Sequence, residues 1–173
     1  ASANSERVDL IFTRHAETAN RLKMPTLVGE WGAYYGQPNT LPAAQAVMRQ
    51  IEKNLFSDTY WSYSSAGEVN NAQYFPILSK PYPANISGNL LQYESNPSNK
   101  SFTCVWNEDP SISVPSRIYL PSEWFPKGYK VILEPKDKGW SFEKIQNESP
   151  DGYLIIQPMG KSAKRSLKVE ILK

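Results

Sequence analysis

Apolar side chains follow helical and then strand-like spacings along residues 1–83. The first stretch repeats them at intervals of three and four, which predicts a helix. Its stripe consists of Val8, Ile11, Phe12, Ala16, Ala19 and Leu22. Residues 26–29 form an apolar run typical of a strand buried on both faces. A helix over 42–55, a strand over 59–63 and a shorter helix over 70–78 complete an order typical of an α/β fold.

The pattern becomes all-β after residue 83. Apolar and polar residues alternate there with a period of two, so that one face of each strand points inward. Seven short candidate strands cover residues 90–93, 101–106, 116–120, 129–134, 140–145, 152–157 and 166–172. Pro, Gly, Asn and Asp separate these strands. The pattern therefore predicts an antiparallel, immunoglobulin-like β-sandwich over residues 84–173.

The composition is that of a folded protein with balanced charge. Of its 173 residues 40% are apolar, and 19 Lys and Arg against 17 Asp and Glu give a net charge of +2. This balance offers no basic footprint for nucleic acid, which we do not expect as a partner. The single cysteine, Cys104, excludes an internal disulfide and a multi-cysteine zinc site. Ten tyrosines and five tryptophans provide aromatic surface for a flat ligand such as a sugar.

A carboxylate stands where the first predicted strand ends, in the tetrapeptide Gly29-Glu30-Trp31-Gly32. In a parallel α/β barrel the C-terminal ends of the strands carry the active site. A charge near a core is costly unless it is paired, and the flanking glycines let a ligand approach the backbone. An exposed loop glutamate is the structural alternative. The tetrapeptide by itself leaves both interpretations open.

The next predicted strand ends in residues 60–63, Tyr-Trp-Ser-Tyr. Aromatic faces stack on the apolar faces of sugar rings. Trp61 and Tyr63 share one side of the strand, and Tyr60 and Ser62 share the other. Core packing is the alternative, and it must hold for one of these two sets.

Three further features are interpreted as structural or solvent-exposed, without a catalytic role. His15 is the only histidine and lies inside the first predicted helix, where we expect a surface or packing role. Glu108 follows Asn107, an Asn-Glu pair of the kind that glycosidases use for their acid/base, but its position before Asp109-Pro110 indicates a solvated turn. The basic segment 161–165 is expected to be a solvated loop.

The chain also contains three glycosylation sequons, at Asn85, Asn99 and Asn147. Asn and Ser are common in turns, so these matches carry little weight by themselves.

With these residues in view, the chain resembles the C-terminal part of endoglycosylceramidases of glycoside hydrolase family 5. Residues 27–32 (Leu-Val-Gly-Glu-Trp-Gly) resemble the seventh barrel strand with its nucleophilic glutamate, and residues 60–63 resemble the eighth. Residues 77–88 resemble the junction at which these enzymes leave the barrel for a C-terminal sandwich. Residues 117–121 and 128–129 resemble strands of that sandwich.

The resemblance implies a retaining hydrolase that cleaves the bond between the oligosaccharide and the ceramide of a glycosphingolipid. Glu30 would be its nucleophile. Trp61 would stack on the sugar, with Trp31, Tyr35 and Tyr63 as further substrate contacts. No metal or organic cofactor is implied. A lipid substrate implies contact with a membrane or micelle, and we expect a secreted or extracellular protein.

Residues 1–83 would supply only the last two strand–helix units of a (β/α)8 TIM barrel, which as a whole needs about 250 residues. The first six strands would be missing, and with them the acid/base glutamate of the fourth strand. We therefore expect a second chain that carries the N-terminal barrel strands. Two alternatives stay open. One is another family 5 β-glycosidase, such as a glucanase or a glucosylceramidase-like enzyme, and the other is a non-catalytic carbohydrate-binding β-sandwich fragment.

Overall fold

The chain forms two compact units, Ala1–Leu78 and Ser79–Lys173. The computed structural model describes residues 5–32, 40–62, 74–136, 139–146 and 149–172. The first unit contains the helices, and the second contains the two larger sheets.

The first unit has the predicted order of elements. Its helices are α1 (Ser5–Leu22), α2 (Thr40–Asn54) and α3 (Phe75–Leu78), and its strands are β1 (Leu27–Gly32) and β2 (Ser57–Trp61). The first helix ends ahead of Met24-Pro25, because proline disfavours a helical residue before it. Residues 70–73, where the third helix was predicted to begin, lie outside the described residues. None of the described helices is both long and apolar enough to cross a membrane.

The two strands of this unit pair in parallel, with Leu27 opposite Ser57 and Gly32 opposite Trp61. One face of the pair packs against the helices. That core consists of Val8, Phe12, Trp31, Ala44, Ala46, Met48, Ile51, Phe56, Tyr74 and Ile77. The prediction of a strand buried on both faces was wrong, since Leu27 is 62% exposed. Burial of both faces needs a second covering layer.

The second unit is a sandwich of two four-stranded antiparallel sheets, as the period-two pattern predicted. Its described strands are β3 (Tyr82–Asn85), β4 (Gly88–Asn96), β5 (Ser101–Glu108), β6 (Ser116–Leu120), β7 (Tyr129–Glu134), β8 (Trp140–Lys144), β9 (Gly152–Ile156) and β10 (Ala163–Ile171). One sheet has the order β4-β5-β10-β7 and the other β3-β6-β9-β8. A short 3₁₀ helix, Ser122–Trp124, connects β6 toward β7.

Strand β3 is the one that the sequence pattern missed. The all-β pattern was predicted to begin only after residue 83, in the middle of this strand, and Pro83 donates no hydrogen bond to a ladder. The strand lies at the edge of its sheet, where one side of the backbone needs no partner. Proline is tolerated in that position.

The sandwich core comes from the inward positions of both sheets. On β5 the residues Phe102, Cys104 and Trp106 are fully buried, as their alternation predicted. They belong to one cluster with residues of the facing sheet, among them Ile118, Leu154 and Ile156. This packing stabilises the second unit, because burial of apolar surface contributes roughly 25 cal/mol per Å².

Two segments that were expected to be solvated meet inside the sandwich. Nη1 of Arg165 lies 2.7 Å from Oε2 of Glu108, and neither side chain is more than 1% exposed. Arg165 also donates to the carbonyl of Gln157 at 2.9 Å, and Glu108 accepts the backbone N–H of Met159. The expectation of a solvated position was therefore wrong for Glu108 and Arg165, whereas Asp109, Pro110, Lys161 and Lys164 are exposed as expected. Each charge is buried because the other neutralises it, and local sequence does not show such a partner.

Candidate active site

Glu30 lies at a bulge near the C-terminal end of β1. Val28 is opposite Asp58 and Trp31 is opposite Tyr60, so β1 has one residue more than β2 in this interval. Val28 and Trp31 therefore both pack against the helix layer, which strict alternation would not allow. Glu30 is exposed, and it makes no hydrogen bond or ion pair in the part of the chain that the structure describes. An exposed carboxylate thus lies near the end of a parallel strand.

Side chains of β2 contact β1 on both faces of the bulge. The hydroxyl of Thr59 donates to the carbonyl of Gly29, a group that the shifted register takes out of the regular ladder. On the helix side, Nε1 of Trp31 donates to Oδ2 of Asp58 at 2.8 Å. Both contacts fix the backbone on either side of Glu30. Sequence reasoning missed Thr59 and Asp58, although the alternation along β2 would have placed them on opposite faces.

Trp31 has a structural position. It is 8% exposed, and its ring meets that of Tyr60 edge-on, with the centroids 5.4 Å apart. The hydroxyl of Tyr60 donates in turn to that of Tyr74 at 2.8 Å. These contacts anchor the end of β1 to the helical core, next to the exposed carboxylate.

Trp61 lies at the end of β2 with more than half of its side chain exposed, 55%. The burial pattern of β2 puts Thr59 and Trp61 on the more exposed face, and Asp58 and Tyr60 on the helix face. An exposed indole is suited to a sugar ring, which offers an apolar face and a rim of hydroxyls. Two further predicted contacts, Tyr35 and Tyr63, lie outside the described residues.

Gly32 is required by the geometry at the end of β1. Its φ of +119° is rare for residues with a side chain. A Cβ there would lie 2.8 Å from the carbonyl oxygen of Trp61 and would overlap the ring of Tyr60. Gly29, in contrast, has open space around its missing Cβ. Of the two glycines that flank Glu30, only Gly32 is needed for close packing.

A cavity of about 280 Å³ opens beside α1 and β1. Glu30 and His15 both line it, together with apolar side chains such as Ile11, Phe12 and Val28. His15 is exposed on its helix, which agrees with the surface role, one of the two roles expected from the sequence. The cavity has an apolar wall and two titratable groups at its rim.

Other nucleophile chemistry finds no support in the described residues. Burial raises the pKa of the Cys104 thiol to about 12, so this cysteine is protonated at neutral pH and is a poor nucleophile. The described residues contain no group of three or more His, Cys, Asp or Glu side chains placed to hold a metal ion.

Comparison with protein families identifies the sandwich. Residues 80–171, more than half of the chain, match the glycoside hydrolase family 5 C-terminal domain. The chain belongs to this family. None of the curated proteins compared with the chain matches it.

Solved structures show the same fold. Endo-glycoceramidase II from Rhodococcus sp. matches with a TM-score of 0.75 and 22% identity over 96% of this chain and 38% of that one. Sterylglucosidase 1 from Cryptococcus neoformans matches with a TM-score of 0.67 and 15% identity over 95% of this chain and 31% of that one. The chain thus spans less than two fifths of the length of either structure. The resemblance to the C-terminal part of a family 5 endoglycosylceramidase is confirmed.

Proposed function

We propose that this chain supplies the nucleophile, Glu30, of a retaining glycoside hydrolase that cleaves the glycan–ceramide bond of glycosphingolipids. The first unit, Ala1–Leu78, would be the last two strand–helix units of its (β/α)8 barrel, and the acid/base glutamate would come from barrel strands outside this chain. The observation that carries the proposal is the exposed carboxylate at the bulge of β1, free of any partner in the described residues.

The position of Glu30 suits nucleophilic attack. In (β/α)8 barrels catalytic groups lie at the C-terminal ends of the strands. A nucleophile must be able to reach the substrate, and an exposed carboxylate meets this condition. Thr59 and Trp31 hold the backbone on its two sides, which limits the movement of the attacking group.

The reaction follows from one carboxylate acting with a second. The Glu30 carboxylate attacks the anomeric carbon and forms a glycosyl–enzyme ester, while the acid protonates the departing ceramide oxygen. Water then attacks the same carbon, and the second carboxylate removes its proton. Retaining enzymes place the two carboxyl groups about 5–5.5 Å apart. Asp58, the acidic residue on the neighbouring strand, is turned to the helix side and accepts the indole N–H of Trp31.

The sheet edge supports a partner that carries further barrel strands. In the described residues β1 and β2 pair only with each other, whereas each strand of a closed barrel pairs on both sides. An unpaired edge next to exposed Leu27 is a template for strand addition. A polypeptide with the N-terminal strands would satisfy this edge and would bring the acid/base glutamate to Glu30.

The substrate class is proposed from the similar structures. Solved structures of the Rhodococcus protein include a lactosyl-enzyme intermediate and a complex with ganglioside GM3. A glycosyl–enzyme intermediate is what a retaining mechanism requires. We assign Trp61 to stacking on the sugar, because it is the exposed aromatic residue at the end of β2. A lipid substrate would also bring the protein to a membrane or micelle surface.

The test is to trap the nucleophile. A 2-deoxy-2-fluoro-lactoside with an activated leaving group, added to this chain together with the remaining barrel strands, should label one peptide, and that peptide should contain Glu30. Glu30→Gln should abolish labelling and lower the hydrolysis of lactosylceramide by orders of magnitude. Glu17→Gln, which alters an exposed glutamate on α1, is the matched control and should leave both unchanged. An adduct on another residue, or a Glu30→Gln variant with a tenth of the original rate, would contradict the assignment.

A second candidate function is a glucosidase for another glucosylated lipid. The structural similarity to sterylglucosidase 1 supports it. The nucleophile would be the same, and the leaving group would be a sterol instead of ceramide. Rates on lactosylceramide, a steryl glucoside and a soluble β-glucan, measured side by side, distinguish the candidates.

A further inference from the structure

Two of the three sequons lie in the described residues of the sandwich, and their acceptor nitrogens have different surroundings. Asn99 lies in the turn between β4 and β5, and Asn85 lies on the edge strand β3. The third, at Asn147, lies outside the described residues. N-linked glycans attach to the side-chain nitrogen of Asn in Asn-X-Ser/Thr on the protein surface. Which sequon can carry one therefore depends on what the fold does with that nitrogen.

The turn presents Asn99 with its nitrogen free. Oδ1 of Asn96 accepts the backbone N–H groups of Ser98 at 3.0 Å and of Asn99 at 3.4 Å, which orders the turn. Asn99 is exposed, and its Oδ1 accepts the hydroxyl of Ser101 at 2.6 Å. The oxygen end of the amide thus faces the sequon serine. In the described part of the chain Nδ2 of Asn99 has no hydrogen-bond partner.

The middle residue of this sequon is held away from the acceptor. Lys100 has a φ of +52°, in the left-handed region. Its ammonium lies 5.0 Å from the ring centroid of Trp124, a residue of the sandwich core. A long side chain that packs back onto the protein leaves the space around the Asn99 amide open.

The sequon at Asn85 is built into the sheet. Nδ2 of Asn85 donates to the carbonyl of Pro115 at 2.7 Å. Ser87, the sequon serine, is buried and donates its hydroxyl to the carbonyl of Val114 at 2.5 Å. It also accepts the hydroxyl of Ser116 at 3.1 Å. Neither the acceptor nitrogen nor the serine of this sequon is available in the folded protein.

We propose that Asn99 is an N-glycosylation site of this protein and that Asn85 is not. The donor is an oligosaccharide linked to a lipid diphosphate, the substrate of the transferase in the secretory pathway. Nδ2 of Asn99 bonds to C1 of the reducing-end sugar, the bond from C1 to the phosphate oxygen breaks, and the lipid diphosphate leaves with both electrons. One amide proton is released. Transfer precedes complete folding, and a glycan on Asn85 would keep β3 from docking, so the folded and secreted protein carries that asparagine unmodified.

The experiment uses the full chain, secreted from a eukaryotic host through a fused leader, in an Asn147→Gln background that removes the third sequon. Peptide N-glycosidase converts a glycosylated Asn to Asp, so peptide mass mapping shows which asparagine carried the glycan. We expect one glycan, on Asn99. It should be lost in Asn99→Gln and in Ser101→Ala, and it should be kept in Ser101→Thr and in Asn85→Gln.

Circular dichroism of each secreted variant shows that the sandwich is folded. A folded, secreted protein without a glycan on Asn99, or with one on Asn85, would overturn the proposal. A glycan retained in Ser101→Ala would overturn it as well. The readout does not depend on hydrolytic activity, so the result tests the glycosylation site separately from the role of Glu30.

Discussion

Removing one charge of the buried pair in the sandwich should cost much of the stability of the second unit. Glu108→Gln keeps the shape of the side chain and removes its charge. Arg165 would then remain fully buried, with the carbonyl of Gln157 at 2.9 Å and the ring of Trp106 at 5.4 Å as contacts that the structure defines. A neutral amide and an aromatic face compensate a buried guanidinium poorly.

The magnitude follows from the burial of both partners. Breaking a buried pair by removing one member costs about 3–5 kcal/mol, a large part of the roughly 5–15 kcal/mol by which domains are stable. For a unit of this size 1 kcal/mol corresponds to about 4–8 °C, so the midpoint should fall by about 12–40 °C. The near-ultraviolet circular dichroism of the full chain, followed during heating, measures it.

A surface pair provides the control. Lys168 and Glu170 lie 2.6 Å apart on β10, but their side chains are 48% and 38% exposed. Glu170→Gln should cost about 1 kcal/mol or less, because water already solvates both charges. In the double variant Glu108→Leu with Arg165→Met, both charges are absent and most of the stability should return. Two results would contradict this prediction. In one, Glu108→Gln lowers the free energy of unfolding no more than Glu170→Gln does. In the other, the double variant is as unstable as Glu108→Gln.

Two further predictions concern the end of β1 and the acid response of the sandwich. Gly32→Ala should destabilise the first unit by about 1–3 kcal/mol, because the position has a positive φ and a Cβ there would lie close to the carbonyl oxygen of Trp61. Gly29→Ala, where space is open, should have little effect. Equal melting temperatures of the two variants would contradict the prediction. Burial raises the pKa of Asp151, but hydrogen bonds from the backbone and hydroxyl of Ser122 and from Tyr119 outweigh it and hold that pKa below its ordinary value. This carboxylate therefore stabilises the folded state above about pH 4, and its contribution is lost as the pH falls further. Between pH 6 and pH 3, the urea midpoint of unfolding should fall less in Asp151→Asn than in the original protein. Parallel curves for the two proteins would refute the prediction.

Periodicity predicted most of the fold because burial acts on it directly. Phe102, Cys104 and Trp106 alternate with polar residues on β5, and all three are in the core. The pattern missed β3, a four-residue edge strand that contains Pro83 and begins before the alternating pattern does. It also overestimated the burial of Leu27, since a run of apolar residues does not show which layers are present to cover it.

The features that the sequence hid are pairings between distant residues. Glu108 and Arg165 each looked like part of a solvated segment, and only the register of β5 against β10 brings them together. The bulge at Glu30 likewise depends on a count of residues on two strands at once. A local pattern contains neither piece of information. The glutamate could be named as a candidate from sequence, because two glycines and a strand end mark it, but its neighbours Thr59 and Asp58 could not.

The bulge resolves a conflict within the tetrapeptide. Trp31 is a large apolar residue that packs on the helices, and Glu30 next to it would have to remain accessible to act as the proposed nucleophile. In a regular strand Val28 and Glu30 would face the same side, so packing Val28 against the helices would turn the carboxylate into the same core. An unpaired carboxylate there would be neutralised, since burial of an isolated charge is far more costly than protonation. The extra residue lets Val28 and Trp31 share the helix face and leaves Glu30 outside it. The register of β1 against β2 therefore determines both the packing of the first unit and the exposure of its candidate nucleophile.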